Sequence, residues 1–432
     1  MGRSALGALA KAGAVVQAAA VTEDITPKGE VTLGAGYHDA PEWKIHSHPE
    51  LNMLAMWMGQ PAPLVLVTVD ALYAGARLRA TIEEELDGVP PENIVVAASH
   101  THAAPMLDDT KPKLGLPDPE HLEYVLTRAR EGIEKLLDPD RRVAARVLAG
   151  KARADHSINR RQVKRITWTW PPQFNSLRWR PDFWGKRDET VTALRFQKLD
   201  GAELAVLWNY ACHPVGFPLQ RTVSTDFPGI VRDVLREDLG EDLPVLFFQG
   251  FSGDTRPLDL AEPRIPPSLR HLNRRVRFGP EWDSREKTLA EYEAGAHSLA
   301  ERVRRAVIAA VPIDFERFSA TRVNVNRSLF VESEGNDLSF QAIKLGEAFG
   351  LVAVSGEVVV EYAARVRRWL GTRYSMLVGC ADDVMGYLPT KKMMHYGGYE
   401  GDRFVEHFDL GPLNPALEEN TLAQLRRVTG KA

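Results

Sequence analysis

The chain has 432 residues, of which 44% are hydrophobic and 26% charged, with a formal net charge of −4. This is an ordinary globular balance with enough length for a large core, and it excludes a strongly basic nucleic-acid binder and a charge-rich disordered chain. Two cysteines, Cys212 and Cys380, are too few for a disulfide scaffold, and no run approaches the roughly 18 apolar residues of a membrane span.

Residues 1–20 are rich in Ala and Gly, with Arg3 ahead of an apolar stretch that Lys11 interrupts. The segment reads either as a weak secretory leader or, over residues 14–21, as the first strand; without a leader the cytoplasm is the expected compartment. Apolar strands are expected at 64–69, 94–98, 143–148, 191–196, 204–210, 245–248, 318–325, 351–354 and 375–379. Amphipathic helices are expected at 76–86, 121–137, 229–239, 284–311, 358–370 and 415–428, and Asp118-Pro119-Glu120 is a start signal for the second. The alternation predicts an α/β fold of layered mixed β-sheets flanked by helices, as one domain over residues 1–432. Two stretches break the rhythm. Residues 156–187 carry Trp168, Trp170, Trp179 and Trp184, and residues 255–283 are rich in Pro and Arg. Both are expected as insert loops, the first as a pocket wall or a subunit contact.

Chemistry-bearing residues collect where strands end. Ser99-His100-Thr101-His102 follows the apolar run 94–98. Histidines at i and i+2 share one side of an extended chain, and imidazole is the commonest metal ligand. A hydrogen-bonded core pair is the plain alternative. His213 repeats that position after the run 204–210. In Ser224-Thr225-Asp226, the aspartate is either a helix N-cap or a carboxylate held near a site. The turn at 248–257, holding Gly253, Asp254 and Arg256, is either a tight turn or a place where backbone N–H groups face a ligand. It is neither a Walker A loop nor a nucleophile elbow. Glu357, after Val354-Ser355-Gly356, reads as a first-turn helix acid or as a hard oxygen ligand. Residues 379–389, with Tyr387, and 395–400, with Tyr399, read as turns or as site segments. Convergence of these segments is what a catalytic metal pocket in an α/β protein needs.

Together these pieces resemble the catalytic domain of the neutral (non-lysosomal) ceramidase family. The resemblance rests on Asp24-Ile25-Thr26-Pro27, Gly34-Ala35-Gly36-Tyr37, Ser99-His100-Thr101-His102 with Pro105, Asn159-Arg160, His213-Pro214, Ser224-Thr225-Asp226, Gln249 with Gly253-Asp254, Gly356-Glu357, Tyr387 and Tyr399, in the family's order. It implies a zinc held by His100, His213, Glu357 and Tyr387, with His102, Arg160 and Tyr399 on the substrate. Asp226 would orient a ligand imidazole. The family's serine after Gly-Asp-x is here Arg256, with Thr255 one residue out of register; Ala103-Ala104 replaces Ser-Gly, and Val384 replaces a tyrosine. The family's C-terminal immunoglobulin-like domain is not expected before the chain ends at Ala432. The implied activity is therefore zinc-dependent hydrolysis of an amide or ester bond in a small molecule other than ceramide. Arg160 and Arg256 would hold a carboxylate or hydroxyls. The alternatives are a metal-supported binding protein, suggested by the missing serine, and a hydrolase of a sugar conjugate, suggested by the tryptophans at 168–184.

Overall fold

The computed structural model describes residues 13–34, 42–167, 173–258 and 288–431. Residues 1–12, Ala35, Gly36, Tyr37, Trp168, Trp170 and the 259–283 part of the second insert lie outside the described residues. Among the described residues the largest sheet has nine strands. Its spatial order is Val245–Gln249, Glu203–Tyr210, Thr190–Lys198, Val143–Arg153, Val15–Asp24, Glu50–Trp57, Leu64–Val69 and Ile94–Ala98, with Val311–Pro312 beside Val143–Arg153. The pair at each end is parallel and the pairs between are antiparallel. A second sheet holds Phe318–Val325, Leu338–Leu345, Phe349–Val354 and Tyr374–Val378.

Side-chain alternation explains how the sheets stack. Along Leu64–Val69, Leu64 and Leu66 join Leu345, Phe349 and Leu351 of the second sheet, whereas Val65 and Val67 join Leu78, Leu122 and Val125 of the helices Gly75–Glu85 and Pro119–Leu137. Both faces are buried, so the strand reads as an unbroken apolar run. Near the other edge, Val206 and Trp208 pack on Phe227, Val231, Leu299 and Val303 of the helices Asp226–Leu239 and Leu289–Ile308. Behind the second sheet, Val352, Val354 and Leu377 meet Val366, Leu370 and Leu425 of Ala363–Leu370 and Leu417–Thr429. The layers run helix, sheet, sheet, helix, as the α/β reading expects. Burying a Leu or Val side chain stabilises by about 1.5–3 kcal/mol, so the two-sheet interface carries much of the fold's stability.

Local signals act where the sequence places them. The Asp118 carboxylate accepts from His121 N at 2.9 Å and starts its helix. Differences have identifiable causes. Ser157–Thr167 pairs antiparallel with Gln173–Asp182, where an irregular loop was expected; Thr255–Pro257 adds a third strand. The buried arginines of Ser157–Thr167 hide the apolar pattern of a strand. Glu50–Trp57 is rich in the helix formers Leu, Met and Ala, yet it pairs on both sides within the sheet, so tertiary pairing overrides propensity. Asp226 is the first helical residue after the cap Thr225, not the cap itself; at φ 56 its carboxylate accepts from Phe227 N. The helix expected at 358–370 begins later, at Ala363, after a two-residue strand Glu357–Val358 and a tight turn at Val360–Tyr362.

Candidate metal centre and cavity

Strands of both sheets end at one place. Ile94–Ala98 leads to His100 and His102, Glu203–Tyr210 to His213, and Phe349–Val354 to Glu357. Open α/β sheets form their sites at such carboxyl ends. Tyr387 is paired in register with Glu357 through the parallel strands Glu357–Val358 and Tyr387–Leu388.

Three imidazoles converge there. His213 Nε2 lies 3.0 Å from His100 Nε2 and 3.1 Å from His102 Nε2. All three residues offer a nitrogen within 4.8 Å of the others. His100 and His213 are buried, and His102 is half-buried on the cavity wall. His100 sits in the left-handed region at φ 65, a conformation that costs a non-glycine residue about 1–3 kcal/mol and gathers at functional sites. Its Nδ1 is 3.0 Å from the Leu72 carbonyl, and His213 Nδ1 is 3.4 Å from the Ser252 carbonyl. A carbonyl only accepts, so each Nδ1 carries a proton and each Nε2 is turned toward the other ring. Two Nε2 atoms 3.0 Å apart require a proton or a metal cation between them. In a tetrahedral zinc site, nitrogens at about 2.05 Å from the metal lie about 3.3 Å apart, close to this spacing. The residues fit a metal.

Glu357 completes the constellation. Its Oε2 is 3.5 Å from His100 Nε2 and accepts no hydrogen bond, while Oε1 accepts the Tyr73 hydroxyl at 2.6 Å. Burial works against the Glu357 charge, but His100, Tyr387 and Tyr73 outweigh it and hold the carboxyl below its usual range. Burial and the charges of His100, Arg160 and His102 drive His213 well below the usual histidine value, which keeps it a neutral imidazole. Burial and Glu357 push the Tyr387 hydroxyl well up, against Arg160.

Above the cluster opens a cavity of about 800 Å³ lined by His102, His213, Glu357 and Tyr387, by Arg160, Arg256 and Tyr399, by apolar residues that include Leu72 and Phe408, and by Arg403, Glu406 and His407. Arg160 is buried and fixed. Its Nε donates to Glu400 at 2.5 Å, and its Nη2 donates to the Gly253 carbonyl at 2.8 Å and to Tyr387 Oη at 3.1 Å. Tyr399 packs edge-on against Tyr387, ring centroids 5.5 Å apart. Asp226 is not among the residues lining this cavity; its carboxylate accepts from the Tyr292 hydroxyl as well as from Phe227 N. Thr255 is buried, its hydroxyl donating to the Ala211 and Ser252 carbonyls at 3.3 Å, so it turns into the protein.

Sequence reasoning assigned no role to three residues of this centre. Leu72 and Tyr73 are consecutive, and one holds His100 through its carbonyl while the other holds Glu357 through its hydroxyl. Glu400 is fully buried and accepts from Arg160, from Arg161 at 2.7 Å and from Trp179 Nε1 at 3.3 Å. The tandem Arg160-Arg161 was the available signal for Glu400, since paired buried guanidinium groups require a carboxylate.

No protein-family profile matches the chain, and no curated protein matches it. Solved structures do. Neutral ceramidase from Pseudomonas aeruginosa superimposes with a TM-score of 0.72 at 14% identity, over 96% of this chain and 73% of that one. A ceramidase complexed with C2 superimposes with a TM-score of 0.73 at 13% identity, over 96% of this chain and 74% of that one. At these identities the likeness is one of fold: the chain has the mixed α/β architecture of neutral ceramidases.

Proposed function

We propose that the chain is a metal-dependent hydrolase that cleaves an amide or ester bond in the cavity beside the histidine cluster. His100, His213, Glu357 and Tyr387 would hold a zinc ion. Bound there, zinc would supply a Lewis acid and lower the pKa of a water from about 15.7 to about 7.

The observation that carries this reading is the pair of inward Nε2 atoms on His100 and His213, each imidazole oriented by a backbone carbonyl, with a Glu357 oxygen 3.5 Å from His100 Nε2. Ligand imidazoles are characteristically oriented in this way. The more exposed His102 faces the cavity and would polarise the scissile carbonyl with Tyr399. Arg160 would position the Tyr387 oxygen and present a fixed cation to the substrate. Asp226, whose carboxylate is held by Tyr292 and Phe227 N, would act at a distance by fixing the start of its helix close to His213 in the chain.

Chelation followed by zinc addition tests the proposal on a panel of amides, esters and lactones. Turnover that disappears with chelation, returns with zinc and is absent in Glu357→Ala supports it. A folded, metal-free protein with full turnover overturns it.

A further inference from the structure

We propose that the substrate carries a carboxylate near the scissile bond, held by Arg256 beside Arg160, and that its other half is apolar. The substrate class is an amide between an apolar acyl chain and an amino acid; this rests on the hydrolase reading above.

Strand register brings the two cations together. Thr255–Pro257 pairs with Ser157–Thr167 so that Arg256 lies opposite Ile158, and Arg160 N donates to the Asp254 carbonyl at 2.9 Å. Residues two apart in a strand share a face, so Arg256, Ile158 and Arg160 leave the small sheet on one side. Their guanidinium carbons lie 5.9 Å and 5.6 Å from the same ring, the indole of Trp179. Arg256 is only 8% exposed and lines the cavity that holds His102, His213 and Glu357.

Two buried carboxylates near Arg160 are engaged in the scaffold. Glu400 accepts from Arg160 and Arg161, and Glu357 accepts from Tyr73 and faces His100. Arg160, Arg256 and Arg403 line the cavity with Glu357 and Glu406, and low dielectric strengthens the pull of the buried Arg256 guanidinium on an anion. A planar fork of donors suits a carboxylate, which it can bind through two parallel hydrogen bonds. Leu72, Leu114, Leu177, Val215 and Phe408, which share the remaining wall with Tyr396, Arg403, Glu406 and His407, suit a hydrocarbon chain instead. The reaction is hydrolysis: water oxygen bonds to the carbonyl carbon, the C–N bond breaks, and the nitrogen leaves with a proton as the free amino acid, with a fatty acid as the second product.

The test uses the zinc-loaded full chain with N-octanoylglycine and its neutral analogue N-octanoylglycinamide. Wild type should favour the carboxylate in kcat/KM by roughly 10–100-fold, the value of a hydrogen bond to a charged group. Arg256→Gln should lose that preference mainly through KM, and Arg256→Lys should keep part of it. Thermal melts identify a variant that fails to fold, and the wild-type comparison stands without either variant. Equal binding and turnover of the two probes by wild type overturns the carboxylate clamp while leaving the hydrolase reading intact. Arg256-dependent binding of the carboxylate by calorimetry, with neither probe cleaved, supports the clamp and contradicts hydrolysis. Preference for the carboxylate that survives in a folded Arg256→Gln protein overturns the assignment to Arg256.

Discussion

Glu400→Gln is the substitution whose consequence the geometry fixes most tightly. The Glu400 side chain is fully buried, with Oε1 accepting from Arg160 Nε at 2.5 Å and Oε2 from Arg161 Nη1 at 2.7 Å. The amide is almost isosteric but neutral, and it turns an N–H toward one of the guanidinium groups. Both arginines then remain buried without their shared counter-charge. Breaking a buried ion pair by removing one partner costs about 3–5 kcal/mol, and here two bonds share one carboxylate, so a loss near the upper end is expected. Burial alone would raise the Glu400 carboxyl, but Arg160 and Arg161 hold it below its usual range. A carboxylate whose pKa is depressed on folding contributes stability above its unfolded value, about 4.3, and loses it as pH falls through the folded value. The difference between wild type and variant should therefore be full at pH 7 and shrink below about pH 4. Equilibrium guanidinium unfolding of both proteins in chelator, followed by circular dichroism, measures it. A difference under about 1 kcal/mol at pH 7 would show that Glu400 is not the hub of this wall.

Tyr73→Phe removes the donor that holds Glu357 Oε1 at 2.6 Å and should weaken zinc binding by about 10–100-fold in a chelator competition; an unchanged affinity refutes the orienting role. His102→Ala should retain zinc yet lose turnover by about 10²–10⁴-fold, whereas loss of the metal would move His102 into the ligand set. Burial and the neighbouring Asp254 carboxylate push Glu361 up to about 8. A carboxyl raised on folding stabilises fully below its unfolded pKa and loses that contribution as pH rises through the folded one, so stability should decline from about pH 5 to pH 8 and level off above it. Glu361→Gln should flatten that decline in melts taken from pH 5 to pH 9, and an unchanged slope would count against it.

Which features were legible in the sequence follows from how local their causes are. The runs 64–69 and 94–98 are buried on both faces, so an unbroken apolar string marks them, and the polar residues that end such strings, His100, His213 and Glu357, stand out. The partners of those residues do not. Tyr73 reaches Glu357 across 284 positions, and Arg160 reaches Glu400 across 240, so no window of sequence contains the pair. The pairing of Ser157–Thr167 with Gln173–Asp182 has the same origin: Arg160 and Arg161 look like loop cations until Glu400 arrives to bury them. Glu50–Trp57 lacks β-branched residues and becomes a strand because Val15–Asp24 and Leu64–Val69 flank it. The left-handed turn at His100 carries no glycine to announce it.

The central claim is that His100 and His213 meet around a metal. Elemental analysis of protein purified without chelator tests it most directly, with His100→Ala and His213→Ala measured beside wild type. The account predicts one zinc per chain in the wild type and only traces in both folded variants. A wild-type protein that binds no zinc, or variants that keep a full equivalent, would contradict it.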